Sequence, residues 1–154
     1  MDKIIGFSDL RVGQRVKIKG KSTEGESFLA LEVSVKPDEE GAAMEGRIQR
    51  LDMQKNLLRL LNRDLMLTNG VEIKNLLRQP ITLKDLKVGD VVKVKGTYSP
   101  AKGFLPAKVK MQESKGFNIE EIQGHIQKID SAKNALEVCG ITITLNEKTE
   151  IEGF

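Results

Sequence analysis

Apolar and polar residues alternate along much of this chain with the two-residue period of a half-buried β-strand. Val92-Lys93-Val94-Lys95 and Leu105-Pro106-Ala107-Lys108-Val109-Lys110-Met111 show it plainly, and Gly96 to Gly103, with Pro100 inside, reads as the turn between them. Ile141-Thr142-Ile143-Thr144-Leu145 is a β-branched run of strong strand preference, entered through a turn at Cys139-Gly140. Short strands separated by turn signals predict an all-β fold, a small barrel or a sandwich.

The pattern repeats. Phe7 to Val35 aligns without a gap on Leu83 to Met111 at an offset of 76 and shares 11 of 29 positions, among them Leu10/Leu86, Gly13/Gly89, Val16/Val92, Gly20/Gly96 and Phe28/Phe104. Glu45 to Ile73 aligns on Gln123 to Ile151 at an offset of 78 and shares 10 of 29, among them Gly46/Gly124, Ile48/Ile126, Asp52/Asp130 and Asn56/Asn134. Duplication explains this better than chance. Leu57-Leu58-Arg59-Leu60-Leu61 has local helical character, but the repeat sets it opposite a strand, so a strand is predicted. With the Gly-x-Ile half called A and the Leu-x-Val-Gly half called B, the chain runs B-A-B-A. Ile4-Ile5-Gly6-Phe7 and Ile151-Glu152-Gly153-Phe154 also echo each other.

The Gly-x-Ile-x-x-Ile-Asp motif, followed by Leu-x-Val-Gly-Asp-x-Val-x-Val-x-Gly and Gly-Phe-Leu-x-Ala-x-x-Val, resembles a bacterial family of tandem OB-like small β-barrels of unknown function, whose members are commonly exported. The resemblance implies two OB-like barrels. A central one would span 44–113, and a second would be assembled from 4–36 plus 124–154, with 37–43 and 114–123 as linkers. An unpaired strand exposes backbone donors and acceptors, so the two end pieces have reason to pair, within one chain or by exchange between chains. The pattern is also distantly similar to periplasmic copper-chaperone OB barrels, which use His, Met and Trp. Here there is no Trp, and Met44, Met53, Met66, Met111 and His125 are scattered. Met66 and Met111 fall in core-like alternation, and His125 is expected to point outward.

Composition narrows the function. At 154 residues and 39% hydrophobic content, the chain can build one ordinary core or two small ones. It has no apolar run near the ~18 residues of a membrane helix. The N-terminus lacks a secretory signal pattern, which leaves a cytoplasmic protein or a chain that starts after a removed signal. Cys139 stands alone, which excludes an internal disulfide, and is expected to be a buried small hydrophobe. Asp52/Asn56 and Asp130/Asn134 read as hairpin brackets, and Gly13/Gly89 as tight turns. No phosphate cradle, activated nucleophile or paired-carboxylate signature appears, so no enzyme, cofactor or metal site is expected.

Charge is uneven. Residues 47–110 carry 14 Lys/Arg against 5 Asp/Glu, whereas the remainder carries 11 against 17. Lys93, Lys95, Lys108 and Lys110 should face one way on neighbouring strands and repel one another. At the matching places of the other copy, Lys17 and Lys19 meet Glu32 and Ser34. Three readings are open for this lysine face. It is a solvated surface that discourages edge pairing; or it docks on acidic segments such as Asp38-Glu39-Glu40 or Glu120-Glu121, within or between chains; or it binds a polyanion, single-stranded nucleic acid included, with Tyr98 and Phe104 as the nearby aromatics. The other aromatics are Phe7, Phe28, Phe117 and Phe154. The expectation is a non-catalytic binding or assembly module that engages a protein partner or itself, with nucleic-acid binding as the alternative.

Overall fold

In the computed structural model, which describes residues 3–4, 6–25, 27–68, 70–113 and 119–153, the alternating segments are strands. In chain order they are β1 (Lys3–Ile4), β2 (Arg15–Ser22), β3 (Ser27–Lys36), β4 (Ala42–Arg47), β5 (Arg50–Asp52), β6 (Leu57–Leu60), β7 (Arg63–Met66), β8 (Glu72–Lys74), β9 (Val91–Ser99), β10 (Gly103–Gln112), β11 (Glu120–Asp130), β12 (Ala135–Val138), β13 (Ile141–Thr144) and β14 (Glu150–Gly153). Single 3-10 turns at Phe7–Asp9 and Leu83–Asp85 precede β2 and β9. There is no α-helix among the described residues. Leu57–Leu60 is a strand despite its leucines, because β5 and β7 pair with it on both edges.

Five strands close a barrel. β11 pairs with β12, β12 with β13, β13 with β3 in parallel, β3 with β2, and β2 with β11 again. The two ends of the chain therefore share one sheet, and β14 extends it by pairing with β3 and with β1. Burial of Phe28, Ile18, Val33, Ile126, Leu136 and Ile143 fills this barrel. The remaining strands form β4-β9-β10-β8, with β5-β6-β7 as a separate three-stranded sheet. β7 lies beside β10, but among the described residues no ladder joins them.

Registers agree at the offsets read from the sequence. Met44 faces Val94 on β9, and Ile122 faces Ile18 on β2. Gly89 donates its N–H to Ile48 O at 2.8 Å, and Gly13 does the same to Ile126 O at 2.9 Å. Asp52 Oδ1 accepts the amides of Gln54 and Lys55, and Asp130 Oδ1 those of Ala132 and Lys133. Asn56 and Asn134 both take positive φ, at 49° and 50°. These aspartates and asparagines are turn residues.

β4 and β11 join the barrel strands to β9, β10 and β8. Ile122 lies opposite Met44, flanked by Gln123 opposite Ala43 and Glu121 opposite Glu45. As a result one apolar row crosses eight strands: Ile151, Val33, Ile18, Ile122, Met44, Val94, Val109 and Ile73. All but Ile73 are buried. Residues one step to either side of this row point to the opposite face.

Three details depart from the sequence reading. β4 begins at Ala42 and β11 at Glu120, so strand takes up the ends of both expected linkers. Ala42 and Ala43 show no polar alternation because both are buried. Gly96 belongs to β9, and the turn is only Pro100 to Lys102. A Cβ on Gly96 would collide with the Leu105 carbonyl, as one on Gly20 would with the Leu29 carbonyl, so this glycine permits a close strand crossing at a bulge. Pro106 is tolerated at the same bulge. Met66 is exposed rather than core, because β7 turns it to solvent while Leu65 points inward. Phe117 and Phe154 lie outside the described residues. Gly96→Ala is expected to cost about 3 kcal/mol, read as a lower midpoint in urea unfolding, since neither neighbour is a movable side chain.

Candidate functional site

Each side chain of the lysine face is placed by strand register. Lys95 lies directly opposite Lys108, and Lys93 directly opposite Lys110. Two polar rows flank the buried apolar row and reach this face from the acidic side of the sheet. One reads Glu150, Glu32, Lys19, Glu121, Glu45, Lys93, Lys110 and Lys74; the other reads Glu152, Ser34, Lys17, Gln123, Ala43, Lys95, Lys108 and Glu72. The charge imbalance in the sequence is thus a change of sign across one continuous sheet face.

Like charges sit close on its basic side. Lys95 and Lys108 hold the Lys110 ammonium below its ordinary pKa, with smaller contributions from burial and Arg78. The nearest acids offer little relief. Glu72 lies 3.7 Å from Lys108 but is 63% exposed, and Glu45 lies opposite Lys93. At the positions 76 residues earlier, the pairs are Lys17 with Ser34 and Lys19 with Glu32.

The acidic segments are used elsewhere. Asp38 Oδ1 lies 2.7 Å from His125 Nε2, which holds the Asp38 carboxyl below its usual range, and Arg15 donates to the carbonyls of Glu39 and Gly41. Glu121 pairs with Lys17 at 3.4 Å, and Glu120 accepts the Ser22 amide at 2.6 Å. Within the chain, none of these contacts reaches Lys93, Lys95, Lys108 or Lys110. His125 points outward, opposite in parity to buried Ile122 and Ile126, and is half-buried where it meets Asp38.

Tyr98 and Phe104 are not on the lysine face. They pair across β9 and β10 and share the inward side of Val92 and Val94, partly buried against the core. Tyr98 reaches the Cys139–Gly140 turn, and burial, then Glu137 and Cys139, push its phenol up. Strand parity alone separates position 98 from 93 and 95, a signal present in the sequence.

The structure adds a group that the sequence reading passed over. A 260 Å³ cleft beside the lysine face is lined by Lys74, Asn75, Leu76, Arg78, Lys108 and Lys110, with Met111, Gln112 and Glu113 at its margin. Its wall is the loop after β8, closed by Asn75 N–H to Gln79 O at 3.0 Å. Asn75 Oδ1 accepts the amides of Leu77 and Gln79, both at 2.9 Å, and Arg78 takes a φ of 63°. Nothing in the hydrophobic alternation marks this loop.

Among the described residues no three His, Cys, Asp or Glu gather as a metal site requires. Met44 is core and Met53 is exposed. Cys139 is free and buried, and burial pushes its thiol up to about 12. Unfolding restores a value near 9.0, so the stability from this burial is full below about pH 9 and is lost as pH rises through 12. Stability is expected to fall above about pH 9, less steeply in Cys139→Ala, and the native thiol should resist a thiol reagent until the protein unfolds.

A family model described as a domain of unknown function (DUF5666) matches residues 2–34 and 123–154, the stretches that supply most of the closed barrel. No curated protein and no solved structure matches the chain. No helix among the described residues is long and apolar enough to cross a membrane. The chain is thus similar, over both its ends, to an uncharacterised family.

Proposed function

We propose that the chain holds two copies of one OB-like motif, a central copy (44–113) and a permuted copy built from 4–36 plus 124–154, and that it acts as a non-catalytic binding module through its lysine face. The shared registers of β4–β9 and β11–β2 support the first part. One observation carries the second. Lys95–Lys108 and Lys93–Lys110 stand opposed where the equivalent pairs are relieved. Like charges directly opposite destabilise a sheet, and an external acidic surface removes that cost on binding. Among the described residues the lysine side carries no aromatic side chain, which favours recognition of charge over stacked bases.

The test compares a polyglutamate peptide with a single-stranded oligonucleotide of similar charge. Both should bind, and affinity for the oligonucleotide should fall about fiftyfold between 50 and 200 mM salt if four cations are engaged. Lys95→Glu with Lys108→Glu should abolish binding of both. Lys95→Glu alone should raise the thermal midpoint by about 2 °C or less, since it converts a repulsion into a pair. Affinity that is insensitive to salt, or unaffected by these changes, contradicts the reading.

A further inference from the structure

The most exposed large hydrophobic side chain among the described residues is Leu77, at 78%, and Leu76 beside it is 52% exposed. Isolated apolar residues on a surface need no explanation. These two need one because of their setting. They occupy the tip of the tight Asn75–Gln79 loop, whose conformation is fixed by the Asn75 side chain and by the bridge from Lys74 to Pro80. Leu76 lines the same cleft as Lys74, Arg78, Lys108 and Lys110, and Lys95 stands opposite Lys108. An apolar tip bordering a cleft with four cations, and a fifth one strand away, is the arrangement that suits an interface with both an anionic layer and an apolar layer beneath it.

We infer that this corner of the protein docks on an anionic lipid surface, with Leu76 and Leu77 entering the headgroup–acyl boundary and Lys74, Arg78, Lys95, Lys108 and Lys110 contacting headgroups. The inference rests on the lysine-face reading and names its partner. Charge complementarity selects the lipid. The two local carboxylates, Glu72 and Glu113, are outnumbered, and Glu72 is already held near Lys108. An acidic protein would meet the same lysines but would leave two leucines beside charged groups. A bilayer takes both. Each basic side chain near an anionic membrane contributes about fivefold in affinity, and each buried leucine about tenfold.

The protein carries no Trp, so Leu77→Trp gives a single fluorescent reporter at the tip. With phosphatidylglycerol vesicles its emission should shift to the blue, and with phosphatidylcholine vesicles it should not. Leu76→Ser with Leu77→Ser should weaken sedimentation with phosphatidylglycerol vesicles about a hundredfold while leaving the thermal midpoint and polyglutamate binding unchanged. Lys108→Glu with Lys110→Glu should remove both kinds of binding. Vesicle binding that survives loss of the leucines, without a blue shift, overturns the inference and leaves the lysine face as an anion surface. Binding of polyglutamate or an oligonucleotide but of no vesicle does the same, as does a dimer in light scattering that disappears in the leucine variant. Failure of every anionic probe overturns both readings.

Discussion

The pairing of β4 with β11 is the constraint on which the rest of this structure depends. Each strand already has a partner on its other edge, β9 for β4 and β2 for β11. Joined through Ile122 and Met44, they turn two separate hydrogen-bonded sets into one sheet with one apolar row beneath it. The contact is self-complementary at the 78-residue offset. Ala43 faces Gln123 and Glu45 faces Glu121, so each strand meets the equivalent of itself. Two edges that would otherwise present unpaired amides are thereby satisfied, which removes the hazard that an open edge poses.

That shared sheet also explains the surface. Because β-strand side chains alternate, a row buried on one side forces its neighbours to the other. The polar rows must then run continuously from Glu150 to Lys74 and from Glu152 to Glu72. The pairs on the acidic half are neutralised locally, as Lys17 with Glu121 shows. On the basic half Lys108 has the exposed Glu72 at 3.7 Å and Lys93 lies opposite Glu45, yet Lys95 and Lys108 still hold the Lys110 ammonium below its ordinary pKa. The sequence repeat supplies the comparison. Equal registers place Lys93 and Lys95 where Lys17 and Lys19 sit, so the difference lies in the partners on β10 and β3 rather than in the frame.

Much of this was legible in the sequence, for physical reasons that differ by element. The strands with clear alternation, β9 and β2 above all, follow from burial of every second residue. β6 is legible only through the repeat, since Leu57, Leu58 and Leu60, broken by Arg59 alone, carry no two-residue period. The opposition of Lys95 to Lys108 could be read once the hairpin was recognised. Gly96 was mistaken for part of the turn because glycine serves equally for a bend and for a close crossing, and only the nearby Leu105 carbonyl separates the two. The grouping of Tyr98 with the lysines failed on parity. The ends of the expected linkers proved to hold the central pairing, since Ala42-Ala43 and Glu120-Glu121 do not alternate. The Asn75–Gln79 loop depends on side-chain caps and one left-handed residue, which leave no trace in a hydrophobic pattern.

Hydrogen exchange at the β4–β11 junction tests the central claim most directly. In a shared sheet both edges of each strand are paired, so the amides of residues 43–45 and 121–123 should be protected without interruption, to the level of global unfolding. Fast exchange at alternate residues of either segment, the signature of an open edge, would contradict the account.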